Sequence, residues 1–145
     1  MLRKILAVTA FALLTSSSAL AASGGCHAVS GTSVTSIVPC SVPALACRES
    51  VLTGDHAGTA LTVITTFDFL TGNYTGYRTN YLANGGTIQA SVVGWFGGGF
   101  GNSTATITGG TRQYARATGT VFAESGPDDG TYWGEYCLGN GGEGE

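Results

Sequence analysis

Lysine is almost missing from this chain: Lys4 is the single one among 145 residues. Charged residues of both signs make up only 10%, proline occurs three times, and histidine twice. Each scarcity excludes something. A nucleic-acid binder needs several Lys and Arg contacts to phosphates, and here six basic residues face nine acidic ones. An anionic membrane surface is disfavoured on the same ground. The cysteines form no C-x-x-C pair and have only His27 as a neighbouring imidazole, so no metal site is expected, nor any cofactor. So low a charge content also excludes a coiled coil and an ordinary disordered chain. Glycine (24) and threonine (20) are plentiful, which suits strands and tight turns.

Met1 to Ala21 reads as a secretory signal peptide. Arg3 and Lys4 supply the positive start, and Ile5 to Leu14 an apolar run too short to span a bilayer. Ala19-Leu20-Ala21 gives an A-x-A cleavage site. Cleavage there would leave roughly 124 residues, the length of one domain. The basic residues remaining are Arg48, Arg78, Arg112 and Arg116, against nine acids, for a net charge of −5. Lysine Schiff-base chemistry is then excluded, and no membrane span remains. The expected location is exported, either periplasmic or secreted.

Four cysteines, Cys26, Cys40, Cys47 and Cys137, follow the cleavage site. An even count in an oxidising compartment predicts two disulfides. Three connectivities are open. The favoured one pairs Cys47 with Cys137, joining the first and last strands of a closed sheet, and Cys26 with Cys40, stapling a Ser/Thr-rich arm over 22–44.

From Leu45 onward apolar and polar residues alternate, and Gly or Asn punctuates them. Strands are predicted over Leu45–Thr53, Gly58–Leu70, Tyr74–Leu82, Thr87–Phe96, Phe100–Thr108, Gln113–Glu124 and Thr131–Leu138. In the second, Leu61, Val63, Phe67 and Phe69 share one face, and Thr62, Thr66 and Asp68 the other. Asn84-Gly85 is a strong hairpin signal. All connections are of hairpin length, which favours an up-and-down barrel over a Greek-key sandwich. Closure also removes sheet edges that a lysine-poor chain protects badly by charge. The fold expected is therefore all-β: a small closed antiparallel up-and-down barrel of about eight strands over 45–138, with a flexible Gly-rich tail over 139–145.

The most specific run is Ala105-Thr106-Ile107-Thr108-Gly109-Gly110-Thr111-Arg112-Gln113-Tyr114-Ala115-Arg116-Ala117-Thr118-Gly119-Thr120-Val121. It resembles the I-x-G-G-T-G-x-[YF]-x-x-A-x-G-x-[VF] signature of the allene oxide cyclase/dirigent β-barrel superfamily, and the small exported bacterial members more than the plant enzymes. The resemblance extends over about Cys47 to Leu138 through strand spacing. It implies an eight-stranded antiparallel barrel with a central cavity, often in a homo-oligomer. The motif concerns fold and transfers no catalytic residue. Gly109 and Gly110 would allow positive φ beside Thr111, Tyr114 would plug a barrel end, and Gly119 would admit a close neighbour. One position departs: Arg112 stands where the family usually has Gly, and is strained there if the turn needs positive φ.

Candidate chemistry is sparse. His56 follows Asp55 between Gly54 and Gly58, which suits a solvated loop tip better than a general base. Asp68 and Arg78 lie on adjacent predicted strands and could pair inside a cavity. Tyr74, Tyr77, Tyr81, Trp95, Trp133 and Tyr136 suit either a barrel core or a ligand lining. The ligand-binding candidates are Asp68, Arg78, Tyr81, Trp95 and Trp133. Two functions follow. The first is a non-catalytic exported binding or structural module. The alternative is a small-molecule cyclase or stereochemistry-directing barrel acting by confinement of an apolar ligand. An inward Asp68, Arg78 and Trp95 would favour a ligand cavity.

Overall fold

The computed structural model describes residues 25–127 and 129–139. The predicted signal peptide and the tail beyond 139 lie outside the described residues. Eight strands follow one another: β1 (Cys26–Val38), β2 (Ala46–Leu52), β3 (Gly58–Phe67), β4 (Asn73–Leu82), β5 (Thr87–Gly97), β6 (Phe100–Gly110), β7 (Thr118–Ser125) and β8 (Gly130–Cys137). Each pairs antiparallel with the next, and β8 returns to β1 to close a barrel. The protein is thus a small up-and-down barrel, as the alternation predicts.

Three boundaries differ from the sequence reading, one being the strand read as Gly58–Leu70, which ends at Phe67 and leaves Asp68 in the turn. The stretch read as an arm over 22–44 contains β1, the strand that closes the barrel between β2 and β8. The strand read as Gln113–Glu124 begins only at Thr118, because Arg112–Tyr114 forms a turn of 3-10 helix. That turn buries Tyr114 among Leu82, Ile88, Ile107 and Ala117, where it plugs one end of the barrel.

Strand direction sorts the connections into two ends. The β2–β3, β4–β5 and β6–β7 connections gather at the plugged end with the outer ends of β1 and β8. Leu52, Ala60 and Tyr132 add a second buried cluster at this end. The β1–β2, β3–β4, β5–β6 and β7–β8 connections surround the other end, which is open. Ile64, Tyr74, Ala90, Val92 and Ala105 fill the wall between.

The disulfides are Cys26–Cys137 and Cys40–Cys47, not the favoured Cys47–Cys137 with Cys26–Cys40. The reason is β1. It separates β2 from β8 and places Cys26 directly opposite Cys137 in register. Cys26–Cys137 therefore seals the seam where the first and last strands meet. Cys40–Cys47 closes a loop of sequence separation 7 and holds the β1–β2 connection at the open end.

Candidate ligand-binding lumen

Side chains alternate in and out along every strand. The inward row reads Ile37, Thr35 and Ser33 on β1, Ala46, Arg48, Ser50 and Leu52 on β2, then Ala60, Thr62 and Ile64 on β3. On β4 it reads Tyr74, Arg78, Asn80 and Leu82. Eight strands leave an interior just wide enough to fill with side chains or to hold one small ligand. This one is filled at the plugged end and hollow at the open end.

The floor is set by His56. Its backbone N–H donates to the Tyr132 hydroxyl at 2.9 Å, and that hydroxyl donates to the Thr53 carbonyl at 2.6 Å. The imidazole stacks on Tyr132 and tilts against Tyr136, with centroids 6.1 and 5.3 Å apart. His56 is 3% exposed, so it is no solvated loop tip. Its Nε2 is buried without a partner among the described residues. It borders a cavity of about 20 Å³ that Arg78, Asn80, Ala105 and Val121 also line. Burial holds the imidazole below its ordinary pKa; nearby Asp55 works against this and Arg78 adds to it.

Above the floor lies a polar chamber of about 40 Å³ walled by Ser33, Arg48, Ser50, Thr62, Arg78 and Ser103 among others. Arg48, Thr62 and Arg78 are register partners across β2, β3 and β4. The Arg78 Nε donates to Asn80 Oδ1 at 2.8 Å. Burial lowers the Arg78 pKa, Arg48 lowers it further, and Tyr74 and Tyr132 act in the opposite sense. The group remains a cation, as guanidinium does in proteins.

Arg48 belongs to both the chamber and the mouth, and its guanidinium lies 5.4 Å from the centre of the Phe96 ring. The mouth is a cavity of about 500 Å³ lined by Ile37, Leu45, Ile64, Phe67, Phe69 and Phe96 together with Thr35, Tyr74 and Asp129. Its rim is apolar and bare: Phe69 is 87% and Ile37 82% exposed.

Comparison with protein-family models, with curated proteins and with solved structures finds no match to this chain. Its chemistry is therefore read from its own lumen.

Of the five ligand-binding candidates, only Arg78 points inward. Asp68 caps the β3–β4 turn, accepting the Leu70 N–H at 2.9 Å and the Thr71 hydroxyl at 2.7 Å. Those bonds, the Thr71 one first, hold its carboxyl below the usual range. It does not meet Arg78. Tyr81, Trp95 and Trp133 are in the outward row and exposed, and Trp133 stacks on Phe122 at 6.1 Å. Tyr74 and Tyr132, by contrast, face inward and are buried.

Phe67 was expected on the face of Val63, but lies on the face of Ile64. A bulge at Thr65 shifts the β3–β4 register between Ile64 and Thr66, which turns Phe67 into the mouth, while Val63 stays on the outer face of the wall and is buried there. Sequence reasoning aligned Phe96 with Ile88, Ala90 and Val92 but gave it no ligand role, and it missed Arg48. Their signal was parity: each lies an even number of residues from an inward neighbour, Ser50 and Val92.

Proposed function

We propose that this chain is an exported, non-catalytic binding barrel that takes the apolar body of a small molecule into its open end. The observation that carries this reading is the mouth of about 500 Å³ with its aromatic and aliphatic lining. That volume falls in the range of about 300–1,000 Å³ usual for small-molecule sites. Bare apolar side chains around such an opening mark an interaction site rather than an ordinary surface. Two disulfides suit an exported barrel, and no described helix is long and apolar enough to cross a membrane. The run over 105–121 adds the resemblance to allene oxide cyclase and dirigent barrels, whose cavities are their working parts.

The test is titration of the disulfide-bonded protein with N-phenylnaphthylamine, a neutral apolar dye that brightens when dehydrated. Saturable binding at one site per barrel is the expected result. Ala46 faces the mouth, so Ala46→Phe should weaken it at least about tenfold while the melting transition persists. Unsaturable binding, or binding indifferent to Ala46→Phe, would overturn the reading.

A further inference from the structure

The charge inside the barrel opposes the charge of the whole chain. The chain carries −3 overall, yet both charged strand residues of the inward row are arginines, Arg48 and Arg78. The strand carboxylates Glu49, Glu124 and Glu135 fall in the outward row and are exposed. Glu124 borders the chamber from the outward row and Asp129 borders the mouth, and neither forms an ion pair with Arg48 or Arg78 among the described residues. Burying the Arg78 guanidinium without a paired counter-charge is costly, because desolvation is not offset by pairing. Adjacent strands lie about 4.8 Å apart, so the two arginine backbones, with Thr62 between, stand about 10 Å apart. Their side chains converge on one chamber that also presents the hydroxyls of Ser33, Ser50 and Thr62.

We propose that this chamber is an oxyanion site, and that the ligand is an amphipathic monoanion. Its apolar body occupies the mouth and its anionic head lies between Arg48 and Arg78. The inference rests on the reading of the mouth given above, and supplies the chemical class that the mouth alone does not. A planar guanidinium offers parallel N–H donors that match a carboxylate or sulfonate, and such charge-assisted bonds are about twice as strong as neutral ones. Arg48 marks the boundary: held against Phe96, it stands where the apolar lining ends and the polar chamber begins. Hydroxyls beside it supply the remaining donors for the head.

A matched pair of dyes tests this. Anilinonaphthalene sulfonate has the same aromatic body as N-phenylnaphthylamine and adds one sulfonate. Both are titrated into the disulfide-bonded protein, with near-UV circular dichroism as the check on folding. The anionic dye is expected to bind at least about tenfold more tightly, the size of one good charge-assisted contact. Arg48→Gln with Arg78→Gln should bring the two affinities together; comparing both dyes on the same variant cancels any change that Arg48→Gln makes to the mouth lining. Equal affinities in the native protein, or a preference that survives both substitutions, would overturn the oxyanion site while leaving the mouth intact. Failure of the neutral dye alone would overturn the mouth, and an arginine-dependent anion preference would then still stand. Should Arg78→Gln fail to fold, Arg48→Gln alone, at the half-exposed neck, is expected to cut the preference.

Discussion

The Tyr132 hydroxyl accepts the His56 backbone N–H at 2.9 Å and thereby pins the β2–β3 turn across the barrel. The two residues are 76 positions apart in sequence. Gly31 makes the arrangement fit, since a methyl group there would lie 2.6 Å from the Tyr132 ring. One hydroxyl thus closes one end of the lumen and leaves the other end as the way in.

Tyr132→Phe should cost about 2 kcal/mol, because the buried His56 N–H is left without an acceptor. The urea midpoint should fall with its slope unchanged. Tyr114→Phe is the comparison. Its hydroxyl accepts from the Asn84 side-chain amide at 3.0 Å, and Asn84 is an exposed residue that can turn to water. That loss should stay below about 1 kcal/mol. Equal losses would show that Tyr132 does not hold the floor.

His56 makes stability depend on pH. Burial holds its folded-state pKa below the ordinary 6.5, so the unfolded chain takes up the proton first as pH falls. The contribution of the neutral imidazole is complete above pH 6.5 and is lost as pH drops from there through the folded-state value. Melting temperature recorded from about pH 7.5 to 5 should decline on the acid side. His56→Phe keeps the backbone N–H and the ring stack, and should flatten that decline. An unchanged slope in the variant would assign it to other groups.

The barrel was legible where local chemistry decides it. Strict alternation marks β4 and β5, and Asn84-Gly85, with Gly85 at φ 82°, marks the turn between them. The strand β1 was not legible as barrel. Its inward residues include Gly31, Ser33 and Thr35, small or polar because they line the polar side of the lumen, and such a row does not look like a core face. The bulge at Thr65 reversed the facing of Phe67, and nothing local announces it. The burial of His56 depends on a tyrosine in the last strand, while its flanking glycines suggest a loop. Arg78 entered the candidates as a partner for Asp68, which it does not meet, and it faces the lumen because the pleat turns Tyr77 and Tyr81 beside it outward. Tyr81, Trp95 and Trp133 carried the aromatic signal but sit on that outer face.

The two disulfides should differ in weight. Cys26–Cys137 spans a sequence separation of 111, and Cys40–Cys47 a separation of 7. In the chain-entropy account the first contributes about 5 kcal/mol and the second about 2 kcal/mol. Replacing Cys26 and Cys137 by Ala should therefore destabilise the protein more than replacing Cys40 and Cys47 by Ala. Peptide mapping without reduction should join the Cys26 peptide to the Cys137 peptide. A Cys47–Cys137 link would contradict the strand order itself, because β1 lies between those strands.

Arg112 is the one non-glycine residue with positive φ, 56°, among the described residues. It opens the 3-10 turn that delivers Tyr114 to its plugging position. A side chain in this region costs about 1–2 kcal/mol, from the clash of Cβ with the backbone. Arg112 recovers part of that by donating from Nη1 to the Asn84 carbonyl at 3.2 Å, across the turn at Gly85. That contact is exposed, so water replaces most of its value. Arg112→Gly should then raise stability by about 1 kcal/mol, because glycine removes the strain. Arg112→Ala should lower it, since alanine keeps the strained Cβ and loses the hydrogen bond. Urea unfolding of both variants separates the two effects. A loss of equal size in both would mean that the bond to Asn84, rather than the backbone angle, decides the energy of this turn.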